Sequence, residues 1–162
     1  MPRIFSANGA TIAICTTQQT AEPANAAAYE ALTYVNIGGP LTIGTFGDAA
    51  EEIAENLLDA GRTIRAKGVR NAGTLDMTFA RDYADAGQSA ILAAEADNGG
   101  AGDYAFKITF DDAPSGGTPS ERYFLATVGS ATETVDDPNS TIKLNANLWI
   151  NTKVTRVNAA AA

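Results

Sequence analysis

The sequence predicts a mainly β fold, a sandwich or barrel of about seven to eight strands with one flanking α-helix and a long inter-strand loop. Short runs in which apolar and polar residues alternate recur along the chain, and turns rich in glycine and proline divide them. Helical periodicity is confined to one or two segments, without the strand–helix–strand rhythm of a parallel enzyme core.

Ala10 to Thr16 opens the series, with Ala10, Ile12 and Ile14 on one face and Thr11, Ala13 and Cys15 on the other. Small and polar residues, Pro23 among them, make a loop of Thr17 to Ala28. Leu32, Tyr34, Val35 and Ile37 then lead to a hard stop at Gly38, Gly39 and Pro40. Asp48 to Gly61 carries helix signals. Asp48 and Glu51 have capping-box spacing, Ala50, Ile53, Ala54, Leu57 and Leu58 recur at three and four, and Gly61 would end the helix. Arg62 to Arg70 alternates Ile64 and Ala66 against Arg65 and Lys67. After Asn71, Ala72 and Gly73, the alternation resumes with Leu75, Met77 and Phe79.

A second helix starts at Asp82 or Asp85, with Gln88 three residues after Asp85. Its face of Ala86, Ala90, Ile91 and Ala94 is narrow enough to lie close to a sheet, and Asn98, Gly99 and Gly100 end it. Tyr104, Phe106, Ile108 and Phe110 alternate cleanly, a loop containing Pro114, Gly116, Gly117 and Pro119 follows, and Phe124, Ala126 and Val128 resume. The last long strand places Ile142, Leu144, Ala146, Leu148 and Ile150 inward, against Lys143, Asn145, Asn147 and Trp149. One domain over residues 1–158 and a frayed tail at 159–162 complete the expected organisation.

Composition narrows the function. A net charge of -8 argues against a basic face that wraps nucleic acid, yet suits a conduit past which DNA slides. With no histidine, serine triads and most zinc sites are excluded. Cys15 is the only cysteine and reads as a small buried hydrophobe. No apolar run approaches the roughly 18 residues of a membrane span, and the start of the chain lacks the apolar run of a secretory signal.

The motifs of chemistry are weak. Gly100, Gly102 and Ala105 spell G-x-G-x-x-A, but after a helix and before a strand, the reverse of the dinucleotide-binding context. Asp97 to Asp103 sets aspartates around glycines without calcium-loop positions. The pairs Asp111-Asp112 and Asp136-Asp137 sit beside prolines, as solvated turns do. No enzyme, cofactor or metal is therefore expected. Trp149, on a mostly polar strand face, suits subunit contact better than sugar stacking, because it lacks companion aromatics. Asp48, Glu51, Glu52, Glu55 and Asp59 are followed by Arg62, Arg65, Lys67 and Arg70. Such segregated charge is either a pair of solvated faces or a means of docking subunits in register.

The order of several runs resembles the tail tube protein, also called major tail protein, of long-tailed bacteriophages with non-contractile tails. It is carried by KGVRNAGTLDMTF from Lys67 to Phe79, YADAGQSAILAA from Tyr83 to Ala94, YAFKITF from Tyr104 to Phe110, YFLATV from Tyr123 to Val128, and the closing strand to Ile150. The resemblance covers roughly residues 62–157 and implies hexameric rings stacked into a tube, the conduit for DNA delivery, with tail-tip and tail-terminator proteins as further partners. It places the protein in the virion after synthesis in the host bacterial cytoplasm. It also implies that a segment near Phe46 to Gly61 is mobile in the free subunit and reaches the next ring. Phe46, Asp48, Glu51, Glu52, Glu55, Arg62, Arg65, Lys67, Arg70 and Trp149 are the contact residues expected on this reading, around an acidic bore. The alternatives are a binding module, such as a virion decoration or carbohydrate-binding sandwich, and the inner tube of a contractile tail or secretion needle.

Overall fold

A computed structural model describes residues 4–59, 61–97 and 103–161. Within them the alternating runs become strands β1 (Thr11–Cys15), β2 (Tyr34–Asn36), β3 (Pro40–Thr42), β4 (Ala49–Leu57), β5 (Arg62–Asn71), β6 (Thr74–Ala80), β7 (Tyr104–Thr109), β8 (Glu121–Thr134), β9 (Lys143–Ile150) and β10 (Thr155–Val157). Among the described residues two helices accompany them, a short α1 (Ala26–Glu30) and α2 (Ala86–Ala96), which is the expected flanking helix. The expected helix stop at Asn98–Gly100 and the G-x-G motif at Gly100 and Gly102 lie outside the described residues.

Antiparallel pairing in the order β2-β1-β7-β8-β9-β6-β3, with β10 on β8, makes one eight-stranded sheet. The sheet packs its main apolar core on one face because its inward positions alternate as the period of two requires. Leu75, Met77 and Phe79 of β6, Phe106 and Ile108 of β7, Phe124 and Ala126 of β8, and Leu144 and Leu148 of β9 are all buried there. Each such large side chain contributes about 1.5–3 kcal/mol by leaving water. Ile142, expected to face inward, instead precedes β9 and is partly exposed.

Helix α2 begins where Asp85 caps it, its Oδ1 accepting from the Gln88 N–H at 2.7 Å. Ile91 and Ala94 enter the core, and Gly87 brings the helix close to the sheet, since a Cβ there would stand 2.6 Å from Ile37 Cα. A smaller core occupies the opposite face at the β1–β7–β8 end, where α1 and its flanking residues cover Cys15, Tyr29, Ala105, Tyr123 and Leu125. Cys15 is buried, as its alternation implied. Of the tail expected to fray, Ala160 exchanges two backbone hydrogen bonds with Thr118.

Within the segment from Asp48 to Gly61, Ala49–Leu57 is a strand and not the helix of the local signals. β4 pairs antiparallel with β5 from Ala49↔Asn71 to Leu57↔Arg62, forming a separate two-stranded arm. A helix would have satisfied only its own backbone. Pairing instead gives the alternating strand β5 a partner, and long-range ladder formation overrides local propensity.

Candidate assembly surface

Two features stand apart from an ordinary folded body: the arm, and a sheet face that none of the described residues covers. Directly opposed residues share a face of a ladder. One side of the arm therefore carries Glu52, Ala54 and Asn56 opposite Lys67, Arg65 and Thr63, and the other carries Ile53, Glu55 and Leu57 opposite Ala66, Ile64 and Arg62. The first side satisfies itself. Arg65 Nε lies 2.8 Å from Glu52 Oε1, and Thr63 Oγ1 donates to Asn56 Oδ1 at 2.7 Å. On the second side Ile53, Leu57 and Ile64 are exposed, with no body of the molecule against them.

The expected contact residues fall into three groups. Asp48, Glu51, Glu52, Glu55, Arg62, Arg65, Lys67 and Arg70 all lie on the arm or its root, and all but Asp48 are exposed positions of the two arm strands. Phe46 lies on the body side of the root, stacked at 6.5 Å from Phe110 and 6.4 Å from Phe124, where it ties the arm to the core. Trp149 lies near the arm root but on the uncovered face.

That face belongs to the four strands β8-β9-β6-β3. The registers place Thr74, Asp76, Thr78 and Ala80 of β6 beside Trp149, Asn147, Asn145 and Lys143 of β9, with Thr127, Ser130, Thr132 and Thr134 of β8 on the other flank. Its polar side chains bond to one another: Thr78 Oγ1 donates to Asn145 Oδ1 at 3.2 Å, Asn145 Nδ2 to Thr134 Oγ1 at 2.8 Å, and Asn147 Nδ2 to Asp76 Oδ1 at 2.6 Å. Its charges are Asp76 and Lys143, and the lysine Nζ lies 3.7 Å from Asp136. Trp149 lies over Gly129, where any Cβ would come within 2.7 Å of ring atom Cζ2.

Both edges of this four-stranded unit are open. β7 pairs with β8 only as far as Tyr104↔Ala126, so among the described residues Thr127–Thr134 has a strand neighbour on the β9 side alone. At the other edge β3 pairs only with β6. The opposite face of the unit carries the core and α2. The molecule is thus a wall segment with bulk on one side, a bare polar layer on the other, and two free edges.

A polar latch holds the end of the wall farthest from the arm. Gln88, fully buried, donates from Nε2 to the carbonyls of Gly38 at 3.0 Å and Ala80 at 2.9 Å. Its Oε1 accepts from Asp82 N–H at 3.1 Å and Arg81 Nη1 at 3.0 Å. Arg81 also pairs with Glu133 at 2.6 Å and lies over the Tyr83 ring at 4.3 Å.

Among the described residues nothing similar converges on a reaction centre. The cleft of about 500 Å3 between residues 40–46 and the ends of β1 and β7 is lined by side chains such as Ile43, Phe46, Ile108 and Phe110 and holds no titratable group. The Asp111-Asp112 pair serves a turn: the Ser120 hydroxyl first and the Ser120 N–H second, the latter donating to Asp112 Oδ1 at 2.7 Å, hold the Asp112 carboxyl below its usual range. Asp137 Oδ1 likewise accepts from Asn139 N–H at 2.9 Å. Burial pushes the phenols of Tyr34 and Tyr123 well above the ordinary tyrosine value, with Cys15 acting second on Tyr34 and the Glu121 carboxylate, bonded to the Tyr123 hydroxyl, second on Tyr123.

No protein-family model and no curated protein sequence matches the chain. Solved structures do share its fold. A chain of the anti-feeding prophage baseplate superposes with a TM-score of 0.69 at 10% identity, covering 98% of both chains. The SPP1 tail tube gives 0.63 at 14% identity, over 98% of this chain and 81% of the other. The sheath–tube complex of an extracellular contractile injection system gives 0.64 at 9% identity, over 96% and 93%.

Proposed function

We propose that this chain is a tail tube subunit, a structural virion protein without enzymatic activity, whose copies join into rings that stack into a hollow tube. The observation that carries the reading is the wall unit β8-β9-β6-β3, with its two open edges, one bare face and all its bulk on the other face. A free edge is a template for another strand. Edge-to-edge joining closes into a ring with room for α2 and the β1–β7 layer only if that bulk lies outside, which turns the bare face inward. The fold shared with tube and baseplate components and the order of sequence motifs support the same reading. Six copies per ring is the number that the resemblance implies, matching the 6-fold symmetry of the anti-feeding prophage baseplate.

On this reading Thr132, Asn145, Asn147 and their neighbours line the bore. The acidic bore expected from net charge gives way to a nearly neutral one whose amides and hydroxyls are occupied with each other. Double-stranded DNA then meets neither free cations to bind its phosphates nor a dense row of carboxylates, and slides. Trp149 lies on the bore side, near the arm root, and carries no companion aromatic of a sugar platform. The arm, carrying Glu51, Glu52, Glu55, Arg62, Arg65, Lys67 and Arg70, reaches the adjoining ring, with Asp48 and Phe46 at its root. Tail-tip and tail-terminator proteins cap the stack. The motif order favours a tail without a sheath, although tubes of contractile injection systems share the fold.

Reversing Arg65 and Lys67 together to glutamate tests the arm's part. The variant keeps the far-ultraviolet circular dichroism of its body but loses tube growth in the electron microscope, because the reversed charges repel Glu52 and disturb the arm that reaches the next ring. Normal tubes from the folded variant would remove the arm from the stacking contact.

A further inference from the structure

We infer that the apolar side of the arm docks on a patch formed by Tyr83, Val135 and Ile142 of another copy of this chain. The inference rests on the tube reading and names the acceptor surface that it lacks. On the arm, Ile53 is 50% exposed, Leu57 42% and Ile64 52%. An isolated two-stranded hairpin is marginal in water, and a contiguous exposed apolar side marks an interaction surface. The opposite side of the arm is occupied by its own Glu52–Arg65 pair, which leaves the apolar side for a partner.

The acceptor follows from strand direction. β6 leaves the arm root at Thr74 and ends at Ala80, just before Tyr83; β8 ends at Thr134, just before Val135; β9 begins just after Ile142. At the root end Ile150 N–H donates to Gly73 O at 3.1 Å, and at the far end Arg81 N–H donates to Ile142 O at 2.9 Å. Tyr83, Val135 and Ile142, at 65%, 72% and 37% exposure, therefore gather at the end of the wall opposite the arm. Arg81, held by Gln88 and Glu133, supports the Tyr83 ring from beneath.

Charge of both signs borders each surface: Glu55 and Arg62 share the arm's apolar side, while Asp136, Asp137 and Lys143 lie beside Val135 and Ile142. Donor and acceptor are different surfaces at opposite ends of one molecule. Such a contact does not close on itself as a two-fold dimer; it repeats from copy to copy along an axis.

Cysteine pairing tests the contact in the full chain carrying Cys15→Ser. Ile53→Cys with Val135→Cys puts one thiol on the arm and one on the patch, and Ile53→Cys with Ser89→Cys moves the second thiol to the exposed side of α2. Each protein is assembled reduced, imaged, then oxidised and run on a denaturing gel. The inference expects a ladder of disulfide-linked chains extending beyond dimers for the first pair and none for the second. Tubes that form normally but yield no ladder, or equal ladders from both pairs, would overturn the docking surface and leave the tube reading standing. If the unsubstituted protein gives neither rings nor tubes at any concentration, even with a tail-tip complex present, both fall together.

Discussion

Replacing Gln88 with methionine isolates the latch that fixes α2 to the end of the wall. Methionine keeps the length and volume of the side chain and removes its amide. Four hydrogen bonds disappear, from Nε2 to Gly38 O and Ala80 O, and to Oε1 from Asp82 N–H and Arg81 Nη1. Arg81 retains Glu133 and the Asp82 carbonyl, so its loss is partial. The remaining neutral backbone groups are left without this partner at about 1–3 kcal/mol each when buried. Because Asp82 and Gly38 lie near the surface and water reaches part of the site, the low end applies, giving a loss of about 3–4 kcal/mol. A domain of this size shifts its melting temperature by roughly 2–4 °C per kcal/mol, so Gln88→Met should melt about 10 °C lower. Thermal unfolding followed by circular dichroism measures this directly. A variant within about 1 kcal/mol of the parent would refute the reasoning, showing that the amide is replaceable by packing alone.

Three further expectations follow from the geometry. Gly87→Ala should cost about 1–3 kcal/mol in chemical denaturation despite the helix propensity of alanine, because its Cβ would press on Asn36 O and Ile37 Cα, which are backbone atoms; a variant as stable as the parent would contradict the close approach of α2 to the sheet. Tyr29, Tyr34 and Tyr123 are raised above the ordinary 10.0 chiefly by burial, so the stability linked to them is intact below that pH and is lost as pH rises through their folded values. Tyrosinate absorbance should therefore rise beyond its first exposed fraction only as circular dichroism is lost, and full titration with native dichroism retained would contradict it. In assembled tubes of Thr132→Cys with Cys15→Ser, a small maleimide should react while one carried on a long polyethylene glycol chain should not. Reaction with both would put the threonine–asparagine face outside, and reaction with neither would bury it between subunits.

Much of the fold is legible in local pattern. Leu75, Met77 and Phe79 alternate strictly and are all buried, and Asp85 caps α2 through the Gln88 N–H as their spacing implied. Gln88 itself was read only as a cap partner; its buried amide was hidden because a glutamine near a helix start signals capping, not a bond to Gly38, fifty residues away. The arm misled for a similar reason. Residues 48–61 have the spacing of a helix, and only the pairing partner in residues 62–71 makes Ala49–Leu57 a strand. β3 was obscured by Pro40, which is tolerated because β3 is an edge strand. The uncovered face was half visible: Lys143, Asn145, Asn147 and Trp149 were placed opposite the core, but that α1 covers one end of the sheet's outer side and leaves this end bare depends on contacts between distant segments.

The measurement that tests the central claim most directly is negative-stain electron microscopy of the purified protein from low to high concentration, with and without a tail-tip complex. The account predicts ring-shaped particles and hollow tubes with a regular axial repeat, growing with concentration or from the added tip. Single globular particles under every condition, with the fold intact by circular dichroism, would contradict it.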